Sequence, residues 1–125
     1  MNDKNDQICA GAPALIFPCS GAADVGELSD LAARRLTSEG TGKMFCLAGV
    51  GGEVPGIVKT TKEASQILAI DGCPLNCVKL TLEKVGINDI DHIVVTDLGL
   101  VKGQSPATDE NISIVMKSAE EKLTG

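Results

Sequence analysis

The sequence predicts an α/β fold: a single three-layer domain built on a mainly parallel four-stranded sheet, Rossmann-like in plan. Three observations predict it. Short apolar runs alternate with amphipathic helical patterns, which implies β–α units joined by right-handed crossovers. One run, residues 67–70 (Ile-Leu-Ala-Ile), has no polar member, as expected of a strand covered on both faces. The length, 125 residues, suits one domain and is enough to bury a core without a metal or disulfides.

The elements follow in order. Residues 1–7 are polar and read as a flexible tail, leaving 8–125 as the single domain. Residues 14–17 form the first strand. A helix is expected over 20–37, with Val25, Leu28, Leu31, Ala32 and Leu36 on its apolar stripe. Gly40-Thr41-Gly42 ends that unit, a second strand covers 43–48, and 49–56 reads as a glycine-rich loop. A weaker helix spans 57–65 and the third strand 67–70. Pro74, in a first-turn position, opens a helix to Val85 with Leu75, Val78, Leu82 and Val85 inward. The fourth strand is 92–96. Thr108 or Asp109 caps a last helix through Leu123 that buries Ile112, Val115, Met116 and Ala119.

Composition narrows the function. Aromatic residues make up 2% and hydrophobic residues 43%, so the core is aliphatic and no stacking platform for bases or sugars is present. A formal net charge of −6 argues against nucleic acid and anionic membranes as partners. The doublet Arg34-Arg35 lies in a predicted helix and reads as a solvated face. The longest apolar run, residues 8–19, is too short to span a bilayer and is broken by Pro13 and Pro18. Asp3 and Asp6 before that run are the wrong charge for a secretory leader, so a cytoplasmic protein is expected. In a reducing compartment its five cysteines point to metal binding or thiol chemistry rather than disulfides.

Placed on the predicted elements, four of those cysteines gather at one edge. Cys19 ends the first strand, Cys46 comes late in the second, Cys73 follows the third, and Cys77 lies one turn into the next helix. Ligands of parallel sheets bind outside the carboxyl ends of the strands, so the four sulfurs are expected to converge there. Cys73 and Cys77, spaced i, i+4, would face one point from the start of a helix. Helix N-termini favour anionic groups, and Gly21, Gly49, Gly51, Gly52 and Gly72 leave amides uncovered nearby. Buried cysteine as a small hydrophobe is the competing use, and Cys9, before the first strand, is assigned to it. His92, the sole histidine, begins the fourth strand away from the cysteines, which gives a Cys–His dyad little support. Asp71 and Asp97 follow strands at the site edge, where helix and turn capping is the preferred reading. Residues 49–54 lack the third glycine of a dinucleotide fingerprint, and Gly42-Lys43-Met44 is no P-loop.

These residues carry a family resemblance. Cys19-Ser20-Gly21-Ala22, Cys46-Leu47-Ala48-Gly49-Val50-Gly51-Gly52, Ile70-Asp71-Gly72-Cys73-Pro74-Leu75-Asn76-Cys77 and Thr96-Asp97-Leu98-Gly99 together resemble the DGC-domain family of prokaryotic proteins. The likeness covers about residues 14–102. It implies a zinc site on Cys19, Cys46, Cys73 and Cys77, and names no reaction or substrate. Three functions compete. The first is a zinc-binding protein. The second is a thiol carrier that transfers persulfide or exchanges disulfides. The third is an iron–sulfur protein, since four thiolates also suit a cluster. A closed four-cysteine zinc shell leaves no catalytic position open, unless one ligand is labile; Cys46 is the candidate. The partner is expected to be a protein or a small molecule of unnamed identity.

Overall fold

The computed structural model describes residues 14–124. Its sheet has four strands, all parallel, in the order β2-β1-β3-β4. They are β1 (Ala14–Pro18), β2 (Lys43–Met44), β3 (Gln66–Asp71) and β4 (Asp91–Val94). Between them run α1 (Asp24–Ser38), α2 (Leu47–Gly51), α3 (Pro55–Lys62) and α4 (Cys77–Lys84). A 3-10 turn (Val95–Leu98) and α5 (Asp109–Thr124) close the chain. The expected α/β class and parallel sheet are thus observed. The tail at 1–7, and Cys9, fall outside the described residues.

Alternation along the strands makes two cores. Ile16, Leu68, Ile70 and Ile93 point to one face, where α1 and α5 bring Leu28, Leu36, Ile112 and Val115. Leu15, Phe17, Ile67 and Ala69 point to the other, beneath Val50, Val78 and Leu82. The two phenylalanines of the chain meet on this second face, Phe17 edge-on to Phe45 with centroids 6.0 Å apart and planes at 79°. Arg34 and Arg35 lie on the solvent side as expected, paired with Asp30 and Asp109 at 2.7 and 2.9 Å.

The helix expected over 57–65 runs Pro55–Lys62, and the strand expected over 92–96 is Asp91–Val94, giving way to the 3-10 turn. Three further boundaries shift, each for a local reason. The first helix starts at Asp24 rather than Ser20, leaving an open loop after Cys19. The second strand stops at Met44 instead of reaching Ala48, because Leu47–Gly51 turns into the short helix α2. Two glycines in five residues hide that helix from propensity. It is held by the Cys46 sulfur, which accepts the Gly49 N–H, and by Gly49 lying under Ile57. The helix expected from Pro74 begins only at Cys77, since Asn76 takes a left-handed conformation (φ 58°). Cys73 and Cys77 therefore do not share a helical face.

Asp24 ties the far end of the chain to this frame. Its Oδ1 accepts the Val25 and Gly103 N–H groups, both at 2.8 Å, and its Oδ2 accepts that of Ser105 at 3.0 Å. The Gly103 bond chiefly, with those from Ser105 and Val25, lowers its pKa below the ordinary aspartate value, against the opposing effect of burial. The unfolded chain then binds more protons in acid, so stability rises with pH through this range. The contribution is fully present above the ordinary carboxylate range and is lost as pH falls through the lowered pKa. Urea midpoints of wild type and Asp24→Asn should differ at neutral pH and converge in acid; a gap independent of pH would contradict this.

Candidate metal and thiol centre

All four cysteines singled out from the sequence lie beyond the carboxyl ends of the strands. The strand order places β1 between β2 and β3, so the crossover from β1 runs outward to β2 and the next returns past β1 to β3; the crevice opens between β1 and β3. Cys19 and Cys73 flank that crevice, and the Cys19 N–H donates to the Ile70 carbonyl at 2.8 Å. Cys46 is the N-cap of α2, not a strand residue, and Cys77 is the first residue of α4. Helices α2 and α4 pack together beside Gly51 and Thr81.

The close approach of two loops at the crevice is made by glycine. A Cβ on Gly72 would stand 3.0 Å from the Gly26 nitrogen and from the Val25 carbonyl carbon. One on Gly26 would stand 2.8 Å from the Gly21 oxygen. Backbone therefore packs on backbone from the Cys19 loop, through the first turn of α1, to the Cys73 loop.

Three of the four sulfurs accept hydrogen bonds. Gly21 N–H reaches Cys19 Sγ at 3.4 Å, Gly49 N–H reaches Cys46 Sγ at 3.2 Å, and Lys102 Nζ lies 3.7 Å from Cys73 Sγ. Sulfur acceptors of this kind suit thiolates, bound or free. The sulfurs divide between the faces of the sheet. Cys19 packs against the second core and Cys73 against the first. Cys46 and Cys77 are exposed, and all four are free thiols. As the side chains stand, no three His, Cys, Asp or Glu among the described residues are grouped closely enough to hold a metal ion. The donor set is thus right for zinc in kind, while the loops hold the donors apart.

Sequence reasoning places Asp71 correctly as a cap. Its carboxylate, 1% exposed, accepts the Val78 N–H at 2.7 Å and the Lys79 N–H at 3.2 Å. It misplaces His92. The register sets His92 beside Ala69, on the face that carries α4, and its Nε2 reaches Asp71 Oδ2 at 2.8 Å. The pairing register, which decides this, leaves no mark in the sequence. Lys102 gives no sequence signal either; it is delivered by the loop that Asp24 clamps. Asp97 is exposed in the 3-10 turn.

A cleft of about 480 Å³ adjoins Cys46, lined among others by Pro18, Phe45, Leu47 and Thr81. Another, of about 520 Å³, lies at the opposite edge around Gln66 and Asp89 and has no cysteine in its lining. Among the described residues no helix is long and apolar enough to cross a membrane.

The molecule is thus a parallel α/β domain with free thiols along its carboxyl edge. The chain belongs to the DGC domain family, whose model matches residues 15–119. It is also similar to a protein of Pseudomonas aeruginosa strain PAO1 named anaerobic and virulence modulator AnvM. The two are 40% identical over 88 residues, covering 70% of this chain and 67% of the relative. No solved structure matches the chain significantly.

Proposed function

We propose that this chain binds a zinc ion through Cys19, Cys46, Cys73 and Cys77. The observation that carries the reading is the gathering of these thiols at the carboxyl edge of one parallel sheet, three of them already accepting N–H bonds. Soft thiolates in a set of four are the donors that zinc takes in closed sites. To share one ion, the four donors would be brought together by the loops that carry them, at 19–23, 45–46 and 72–77. Bound zinc supplies charge neutralisation for the thiolates. Lys102 offsets part of the remaining negative charge at Cys73. We place this chemistry in the cytoplasm, where thiols stay reduced. The name of the Pseudomonas relative favours a modulating role over a metabolic one.

A second reading, persulfide or disulfide transfer, is favoured by the exposure of Cys46 and Cys77 and by the cleft beside Cys46. Protein purified without air decides between them. Zinc at about one per chain supports the first reading. Metal-free protein carrying persulfide supports the second, and iron with acid-labile sulfide would replace both by a cluster. Cobalt substituted into the chain should give intense tetrahedral thiolate absorption that Cys9→Ser keeps and Cys77→Ser loses or alters.

Loading the ion should tighten the edge without making the fold. Hydrogen exchange should slow most at 45–52 and 72–77 on metal binding, with the protection of β3 (Gln66–Asp71) little changed. If chelation strips β3 as fully as those loops, the ion is required for the whole fold.

A further inference from the structure

We infer that Asp71 and His92 act as a positioning pair for Cys77, fixing where its sulfur stands for the ion or for thiol exchange. This rests on the thiol-site reading above and deepens it. Helix α4 (Cys77–Lys84) begins at the cysteine itself, and its N-cap, Asn76, makes no side-chain cap bond. The N–H groups of the two residues after Cys77 would be orphans of the first turn. Asp71 takes both, reaching across from the end of β3. A strand residue thus does the work of a cap and sets the position of the helix start against the sheet.

Asp71 alone would be a poor anchor. It is almost wholly buried, and a buried carboxylate needs its oxygens occupied. The imidazole of His92, on β4, supplies the remaining bond: with Nε2 as donor the carboxylate accepts three N–H bonds. His92 is 22% exposed and thus one side of the ring reaches solvent while the other is held. The chain of contacts runs from β4 through His92 and Asp71 to the amides of Val78 and Lys79, and so to Cys77. Such partners, bonded to the backbone next to a ligand and not to the ligand itself, orient it without touching the ion. Asp71 also lies two residues before Cys73, in the Asp-Gly-Cys segment.

The test compares His92→Phe, which removes the donor and keeps a ring, with His92→Gln, which keeps an N–H donor. Reduced, metal-free full-length chain is titrated with cobalt. His92→Phe should weaken cobalt binding ~10–100-fold and alter the thiolate bands. His92→Gln should recover most of the affinity and the wild-type spectrum. A merely structural histidine would lower the melting temperature and leave both unchanged; that result overturns the inference. If wild type shows no thiolate–cobalt bands, the zinc reading fails, and the pair is judged on the metal-free chain instead. There the alkylation rate of Cys77 relative to Cys46 should change about fivefold in His92→Phe, the ratio that corresponds to loss of a helix cap. An unchanged ratio overturns the inference in that case too.

Discussion

Phe17→Ala should destabilise the protein by about 3–5 kcal/mol, the range for emptying a buried phenylalanine site. Phe17 is fully buried in β1, the strand paired on both sides, with β2 and with β3. Its ring fills the second core between the sheet and the helices α2 and α4, and its edge contact with Phe45 supports the segment that leads to Cys46. The neighbours are Leu15, Ala69, Val78 and Leu82, attached to rigid elements that cannot collapse into the space. Urea unfolding measures the loss. A change below ~1 kcal/mol, typical of ordinary substitutions, would mean that this face repacks freely.

Gly72→Ala should lose about 1–3 kcal/mol or more, and should do so at the site itself. Both atoms that the new methyl would meet at 3.0 Å are backbone, the Gly26 nitrogen and the Val25 carbonyl carbon, so no side chain can swing aside. Either the Cys73 loop lifts or the start of α1 retreats. Gly56 gives the contrast. It lies in α3, and a Cβ there meets nothing within 4 Å. Gly56→Ala should therefore gain about 0.5–1 kcal/mol from helix propensity alone. Opposite signs for two identical substitutions separate close approach from the general flexibility of glycine. Equal signs would refute the packing account of Gly72.

The sheet was legible because burial writes itself into composition. Residues 67–70 carry no polar side chain, and all four are buried in β3. The stripe of α1 was likewise readable from Val25, Leu28, Ala32 and Leu36, all buried. Short helices were not legible. In α2 a thiol cap and the contact of Gly49 with Ile57 outweigh two glycines, and both are decided by distant geometry. The start of α4 was misjudged because Pro74 offers a local signal that Asn76 and Asp71 override. At the site, strand-end position located the four cysteines correctly along the edge. Which face each sulfur takes depends on how the chain leaves the strand, and Cys19 and Cys73 part company there.

An edge strand of two residues carries the chain toward Cys46. β2 is joined to the rest of the sheet by its pairing with Leu15 and Ile16 alone, and Cys46 follows it within two residues. Peeling that segment away breaks few ladder bonds, whereas displacing Cys73 disturbs a central strand bonded to both neighbours. Opening free energies across the edge should therefore be graded, lower at Cys46 than beside β3. Hinging should then be confined to one end of the edge, with the amides around Cys46 exchanging faster than those of Asp71 and Gly72.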